Sequence, residues 1–179
     1  IGIDDPTATI RLGWGVKGFN AMILSERGTY FIDPYQKNDL DHYVVYDKKD
    51  YRKQQRHNHF GCNLHDLHEP VSNRLTDLPS FSTSGQLRTY RLALSTTGEY
   101  SQFHGGTLAS VNSELAVAMN RVNGIFLREI GLQFLIIAGN DALIYFNAGS
   151  DPFTNSNGFV LLSENQNNTD LLIGSANYD

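Results

Sequence analysis

Between residues 108 and 130 the apolar side chains Leu108, Val111, Leu115, Ala118, Met119, Val122, Ile125, Phe126 and Ile130 recur at steps of three and four. That period belongs to an amphipathic helix, roughly 36 Å long at ~1.5 Å per residue. Thr107 stands where a hydroxyl caps the first turn, and Gly131 where a left-handed residue ends the last one. Leu132 to Ala138 (LQFLIIA) follows at once as a buried strand. Arg88 to Ser95 (RTYRLALS), which alternates Tyr90, Leu92 and Leu94 on one face, precedes it. Strand, helix and strand in this order predict a right-handed βαβ unit with parallel strands.

The rest of the second half is less regular. Thr96 to Gly106 reads as a glycine-rich loop, and Leu143 to Phe146 as a further short apolar run. The Asn/Gly/Ser/Asp-rich stretch 147–158 reads as a surface loop, and residues 157–172 as a second helix. Glu99 and Asp151 fall on loops and are expected to be solvated. Only two strong strands follow residue 86, whereas a stable parallel sheet needs at least about three, covered on both faces. The sheet is therefore expected to be completed by the N-terminal unit, by another chain, or by further residues of a longer protein.

Residues 8–47 read as a β-meander. Its strands are Ala8–Leu12, Phe19–Leu24, Thr29–Ile32 and His42–Tyr46, and Asp33-Pro34 ends the third. Gly13-Trp14-Gly15 reads as a turn with a packed indole. A highly charged stretch follows at 47–56 (DKKDYRKQQR), a solvated loop, a protease-sensitive link or a basic contact patch. The Pro- and Ser-containing stretch 69–87 has linker composition, which sets a boundary at about Ser84–Gln86. The charge changes there too: residues 1–85 carry ten Lys+Arg and eleven Asp+Glu, residues 86–179 four Arg, no Lys and eight Asp+Glu. The expected fold is mixed α+β / α/β. A β-rich unit (1–85) is followed by an incomplete βαβ(α) unit (86–179).

Hydrophobic residues make up 40% of the 179, which excludes a fully disordered chain. No apolar run approaches the ~18 residues of a membrane-spanning helix. A net charge of -5 argues against nucleic acid as a partner. Cys62 is the only cysteine, so an intrachain disulfide is impossible and the redox compartment cannot be read from cysteine pairing. The chain opens without a methionine, a basic n-region or an apolar h-region, as expected of one whose targeting segment was removed or not included.

The densest chemistry lies at 57–68 (HNHFGCNLHDLH), which holds four of the six histidines. His57, His59, Cys62, His65 and His68 are side chains that suit zinc, although their spacing matches none of the usual structural zinc patterns. The segment is a polar loop with incidental histidines, a metal site in its own right, or the source of one ligand to a metal held elsewhere. Asp33, Asp39 and Asp41 form a small acidic group without the glycine-centred spacing of a calcium loop. Asn167-Asn168-Thr169 is a glycosylation acceptor pattern.

Three stretches carry a family resemblance. LRTYRLALSTTGEYSQFHGG (87–106), AMNRVNGIFLREIGLQFLII (118–137) and DPFTNSNG with LIGSANYD (151–158 and 172–179) resemble the opening half of the catalytic domain of bacterial reprolysin-like zinc metallopeptidases, members of the metzincin clan. The resemblance implies a twisted five-stranded sheet with two long helices, of which this chain supplies the first strands and helices. It implies zinc as cofactor, protein or peptide substrates, a secreted enzyme, and the remainder of the peptidase domain as the chain's partner. The family's zinc motif, H-E-x-x-H-x-x-G-x-x-H, is absent from residues 1–179 and is expected beyond Asp179, so no residue here is expected to be catalytic. Residues 1–83 would be the propeptide. Cys62 would then be the inhibitory zinc ligand, its thiol acidified by His59 or His65, with Asp66 as an alternative ligand. The competing expectation is a non-catalytic inhibitory or binding module.

Overall fold

The computed structural model describes residues 2–36, 39–50 and 85–179. An antiparallel sheet is followed by a mixed α/β region, the expected α+β combination. The meander comprises β1 (Thr9–Gly15), β2 (Gly18–Ser25), β3 (Gly28–Pro34) and β4 (Tyr43–Asp47), paired in sequence order. Two-residue loops join β1 to β2 and β2 to β3, with Gly15 opposite Gly18 and Ser25 opposite Gly28. Pro34 is the last residue of β3, as its missing amide donor requires. Gly13-Trp14-Gly15 is not a turn. It is the end of β1, and the Trp14 indole is 72% exposed, with the Phe19 ring 6.3 Å away.

In the second half, β5 (Arg88–Leu92) and β6 (Leu132–Ile136) pair in parallel, Tyr90 opposite Phe134. The predicted loop after β5 contains a short helix, α1 (Gly98–Phe103). Two features missed from the glycine-rich composition start it. Thr97 caps the Tyr100 amide, and the Asp151 carboxylate accepts from the Gly98 amide at 2.6 Å. Glu99 thus lies in a helical turn, and Asp151 ties its own loop to that helix rather than standing in solvent. Gly98 is obligatory, because a Cβ there would fall on the backbone at Asn147–Ala148.

The long helix is α2 (Leu108–Ile130). Thr107 and Ser110 form a reciprocal cap at its start, and Gly131 ends it in the left-handed conformation (φ 65°). Val111, Leu115 and Ile144 form its buried core with Leu94 and Tyr100 against them. The expected apolar stripe is buried only in its first half. Ile125, Phe126 and Ile130 remain exposed, because the two-stranded sheet is narrower than the helix is long. The apolar run at Leu143–Phe146 is not a strand. Leu143 closes a 3₁₀ turn (Asn140–Leu143), and Ile144 makes a single bridge to Thr96. The second helix, α3 (Gly158–Leu172), starts at the cap Asn157 and matches its predicted range closely.

Three side chains substitute for missing strand neighbours. Arg88 and Leu92 exchange ladder bonds with Gly131 and Ile137, so the odd-numbered residues of β6 face β5 and Phe134 faces the open edge. There the Asn123 amide, from α2, accepts from the Phe134 N–H and donates to its C=O, both at 2.8 Å. Asn140, itself buried, does the same for Leu94 at 2.7 and 3.0 Å. Asp179 covers the other edge of β5. Its backbone N–H donates to the Arg91 C=O, and its carboxylate accepts from the Arg91 N–H and guanidinium. Nearby, bonds from Gln166 and the Tyr178 hydroxyl hold the Asp170 carboxyl below the ordinary aspartate range.

Replacing Asn123 by Leu strands the Phe134 amide and carbonyl without partners and should destabilise the fold by about 2 kcal/mol, read as a lower urea midpoint. Asp170 is more acidic folded than unfolded, so its contribution is complete at neutral pH. It is lost as pH falls through the folded-state value, below the ordinary aspartate range. The Tyr178 ring resonances in an NMR titration should follow that protonation.

Candidate functional site

Cys62, His57, His59, His65, His68 and Asp66 all lie outside the described residues, as does most of the charged stretch 47–56. The acidic group Asp33, Asp39 and Asp41 is not brought together as a cation site. Asp39 accepts from the backbone amides of Asp41 and His42 and pairs with the His42 ring, whereas Asp33 turns toward α2. Asn167 is exposed in the middle of α3, while Thr169 of the same acceptor pattern is buried. Among the described residues no three His, Cys, Asp or Glu side chains converge to hold a metal ion. They do not fit a zinc centre, and no step of hydrolysis follows from them. Among the same residues, no helix is long and apolar enough to cross a membrane.

The structure instead brings together a set of side chains where the β1–β4 sheet meets α2. One face of the helix carries Ser113, Val117, Asn120 and Gly124 at steps of three and four, flanked by Glu114 and Arg121. Gly124 is a poor residue for a helix interior, by about 1 kcal/mol. It stands here because the sheet comes close. A Cβ at 124 would lie 2.7 Å from the Met22 methyl and 2.8 Å from Arg11 Cγ. Gly15 of β1 is matched to the same approach, since a side chain there would strike the Ser113 hydroxyl.

Polar groups close the contact along its length. Ser113 Oγ accepts from the Val16 amide at 3.1 Å. Asn120 donates to the Leu12 carbonyl at 3.1 Å, on the side of β1 that faces away from β2. Arg121 pairs with Asp33, whose second oxygen accepts from the Tyr46 hydroxyl at 2.8 Å, and the guanidinium lies 5.2 Å from the Phe31 ring centre. Both members of that ion pair are about three-quarters buried. At the other end, Lys17 Nζ sits 2.7 Å from His104 Nδ1 and 3.2 Å from Glu114. The His104 ring packs on Tyr100, whose phenol is pushed up by burial and by the Glu114 charge. A cavity of about 230 Å³ remains between the two parts, with Lys17, Asp33, Phe103 and Glu114 on its wall.

None of the pairings between the sheet and the second half was anticipated from sequence, since those hydrogen bonds join residues 87 to 108 positions apart. The available signal was the small and polar stripe running opposite the apolar one on α2, with Gly124 in its middle.

The half of the chain that contains α2 and the parallel strand pair has recognisable relatives. A family model described as metallo-peptidase family M12B, reprolysin-like, matches residues 86–179. The chain belongs to that family. Neither the curated proteins nor the solved structures contain a match to it. The M12B match covers β5, α1, α2, β6 and α3, whereas the sheet seated on α2 precedes it in the chain. The enzymes of that family are zinc metallopeptidases.

Replacing Arg121 by Ala should lower stability by about 2 kcal/mol, the cost of leaving a partly buried charged acceptor without its donor. Asp33→Ala combined with it should cost much less than the sum of the two single changes in chemical denaturation, as expected for residues that share one interaction.

Proposed function

We propose that this chain is the propeptide and the opening half of the catalytic domain of a latent, secreted zinc endopeptidase. Residues 1–85 are the propeptide and residues 86–179 the catalytic part. The single observation supporting this reading is the seating of the β1–β4 sheet on α2. A segment outside the family match is fastened to the matched part by an ion pair, side-chain bonds to its free strand edge and to the turn after it, and a glycine that admits its methionine. A propeptide that keeps its enzyme silent needs such an anchor.

Cys62 is the group assigned to latency. A thiolate is a strong zinc ligand, and its presence on the ion excludes the water a zinc peptidase must activate. His59 and His65 are close enough in sequence to favour the thiolate when charged, and Asp66 is the alternative inhibitory ligand. The zinc and its three histidines belong to the polypeptide beyond Asp179. Protein or peptide substrates are bound there as well.

Two measurements test the reading. The polypeptide encoded beyond Asp179 should carry H-E-x-x-H-x-x-G-x-x-H, and a longer protein without it would defeat the peptidase assignment. In that longer protein Cys62→Ser should release activity on an unstructured protein substrate before any processing. If latency is unchanged in Cys62→Ser but lost in Asp66→Ala, the inhibitory ligand is Asp66.

A further inference from the structure

We propose that α2 carries a docking surface on which the β1–β4 sheet stays bound after the chain between them has been cut. The consequence of this for latency rests on the zymogen reading above, but the retention itself does not. All the cross-contacts described are made by residues 11–33 on one side and 103–124 on the other. None depends on the peptide bonds between residues 50 and 85. Covalent connection raises the effective concentration of the sheet without adding any of those contacts.

The surface reads a specific partner chemistry. Asn120 satisfies an acceptor on the outer edge of β1, and Ser113 a donor in the turn that follows it, the Val16 amide. Gly124 and the matching Gly15 let strand and helix approach within side-chain-free distance, with the Met22 side chain, only 1% exposed, seated over Gly124. Arg121 takes a carboxylate presented by the third strand, and Glu114 takes an ammonium from the first turn. The matching groups are an apolar anchor, two charge pairs of opposite polarity and two backbone bonds. Opposite polarities oppose a shifted register, since a displaced sheet would leave partly buried charges unpaired.

The test uses residues 1–179 with a site-specific protease sequence inserted between Ser84 and Gly85. After complete cleavage, verified by mass, the two fragments should co-elute in size-exclusion chromatography at about 10 µM, as a complex of micromolar or tighter affinity does. In the cut protein Arg121→Ala should weaken the association about tenfold or more. Asp33→Arg with Arg121→Asp should recover part of that loss. Lys17→Ala, which removes from the β1–β2 turn a charged side chain that is about three-quarters buried, should weaken it less and reduce its dependence on salt. Separation of the cut wild-type fragments at that concentration overturns the proposal. So does undiminished association in both Arg121→Ala and Lys17→Ala. The readout involves neither zinc nor activity, so failure of the Cys62 test leaves it untouched, and the reverse holds too.

Discussion

Two asparagines on one helix hold this structure together. Asn123 completes the open edge of β6, and Asn120, three residues earlier, donates to the open edge of β1. An unpaired strand edge away from water carries a row of unsatisfied amides and carbonyls. Here a primary amide, which has a donor and an acceptor spaced like those of a peptide bond, takes the neighbour's place. The helix is therefore more than a cover for its own parallel strand pair. It is the shared boundary of two sheets that, among the described residues, share no strand pairing.

That arrangement explains the composition of α2. Its apolar residues Val111, Leu115 and Met119 are buried, as the periodicity requires. The opposite stripe would be long and charged on a helix exposed to water. Instead it is short: Ser113, Val117, Asn120, Gly124. Gly124 lowers the intrinsic stability of the helix by about 1 kcal/mol, and the close packing of Met22 and Arg11 offsets that cost. The charged residues at the border, Glu114 and Arg121, are spent on the sheet rather than on solvent.

This also gives the β1–β4 sheet a physical role beside the matched region. The matched region by itself has a narrow sheet and leaves Ile125, Ile130, Leu135 and Ile136 exposed. The N-terminal sheet does not relieve that exposure at the far end of α2. It stabilises the near and middle turns through polar contacts. Such contacts suit a segment that must bind in one register, because each unmatched polar group would carry its own desolvation cost.

Much of the fold was legible in the chain, for local reasons. The meander, the long helix, its caps at Thr107 and Gly131, and the parallel strand pair follow from periodicity, turn residues and capping chemistry, all of which act over a few residues. Local reading went wrong where a neighbour outside the window decided the outcome. Asp151 starts a helix in a stretch that looked like loop, and β1 runs on through Gly13-Trp14-Gly15, which pair with Asn20, Phe19 and Gly18 of β2. The residues singled out from sequence, Cys62 and its histidines, lie outside the described part. Of those that join the two halves, Asp33 and Gly15 were noticed for other reasons, an acidic group and a turn, and the rest were not singled out. The sequence by itself determined the elements and the family of residues 86–179. Only the tertiary structure decided that Arg121 meets Asp33, that Asn120 and Asn123 serve different sheets, and why a glycine sits in mid-helix. Those facts depend on which surfaces meet in space, and no local period encodes that.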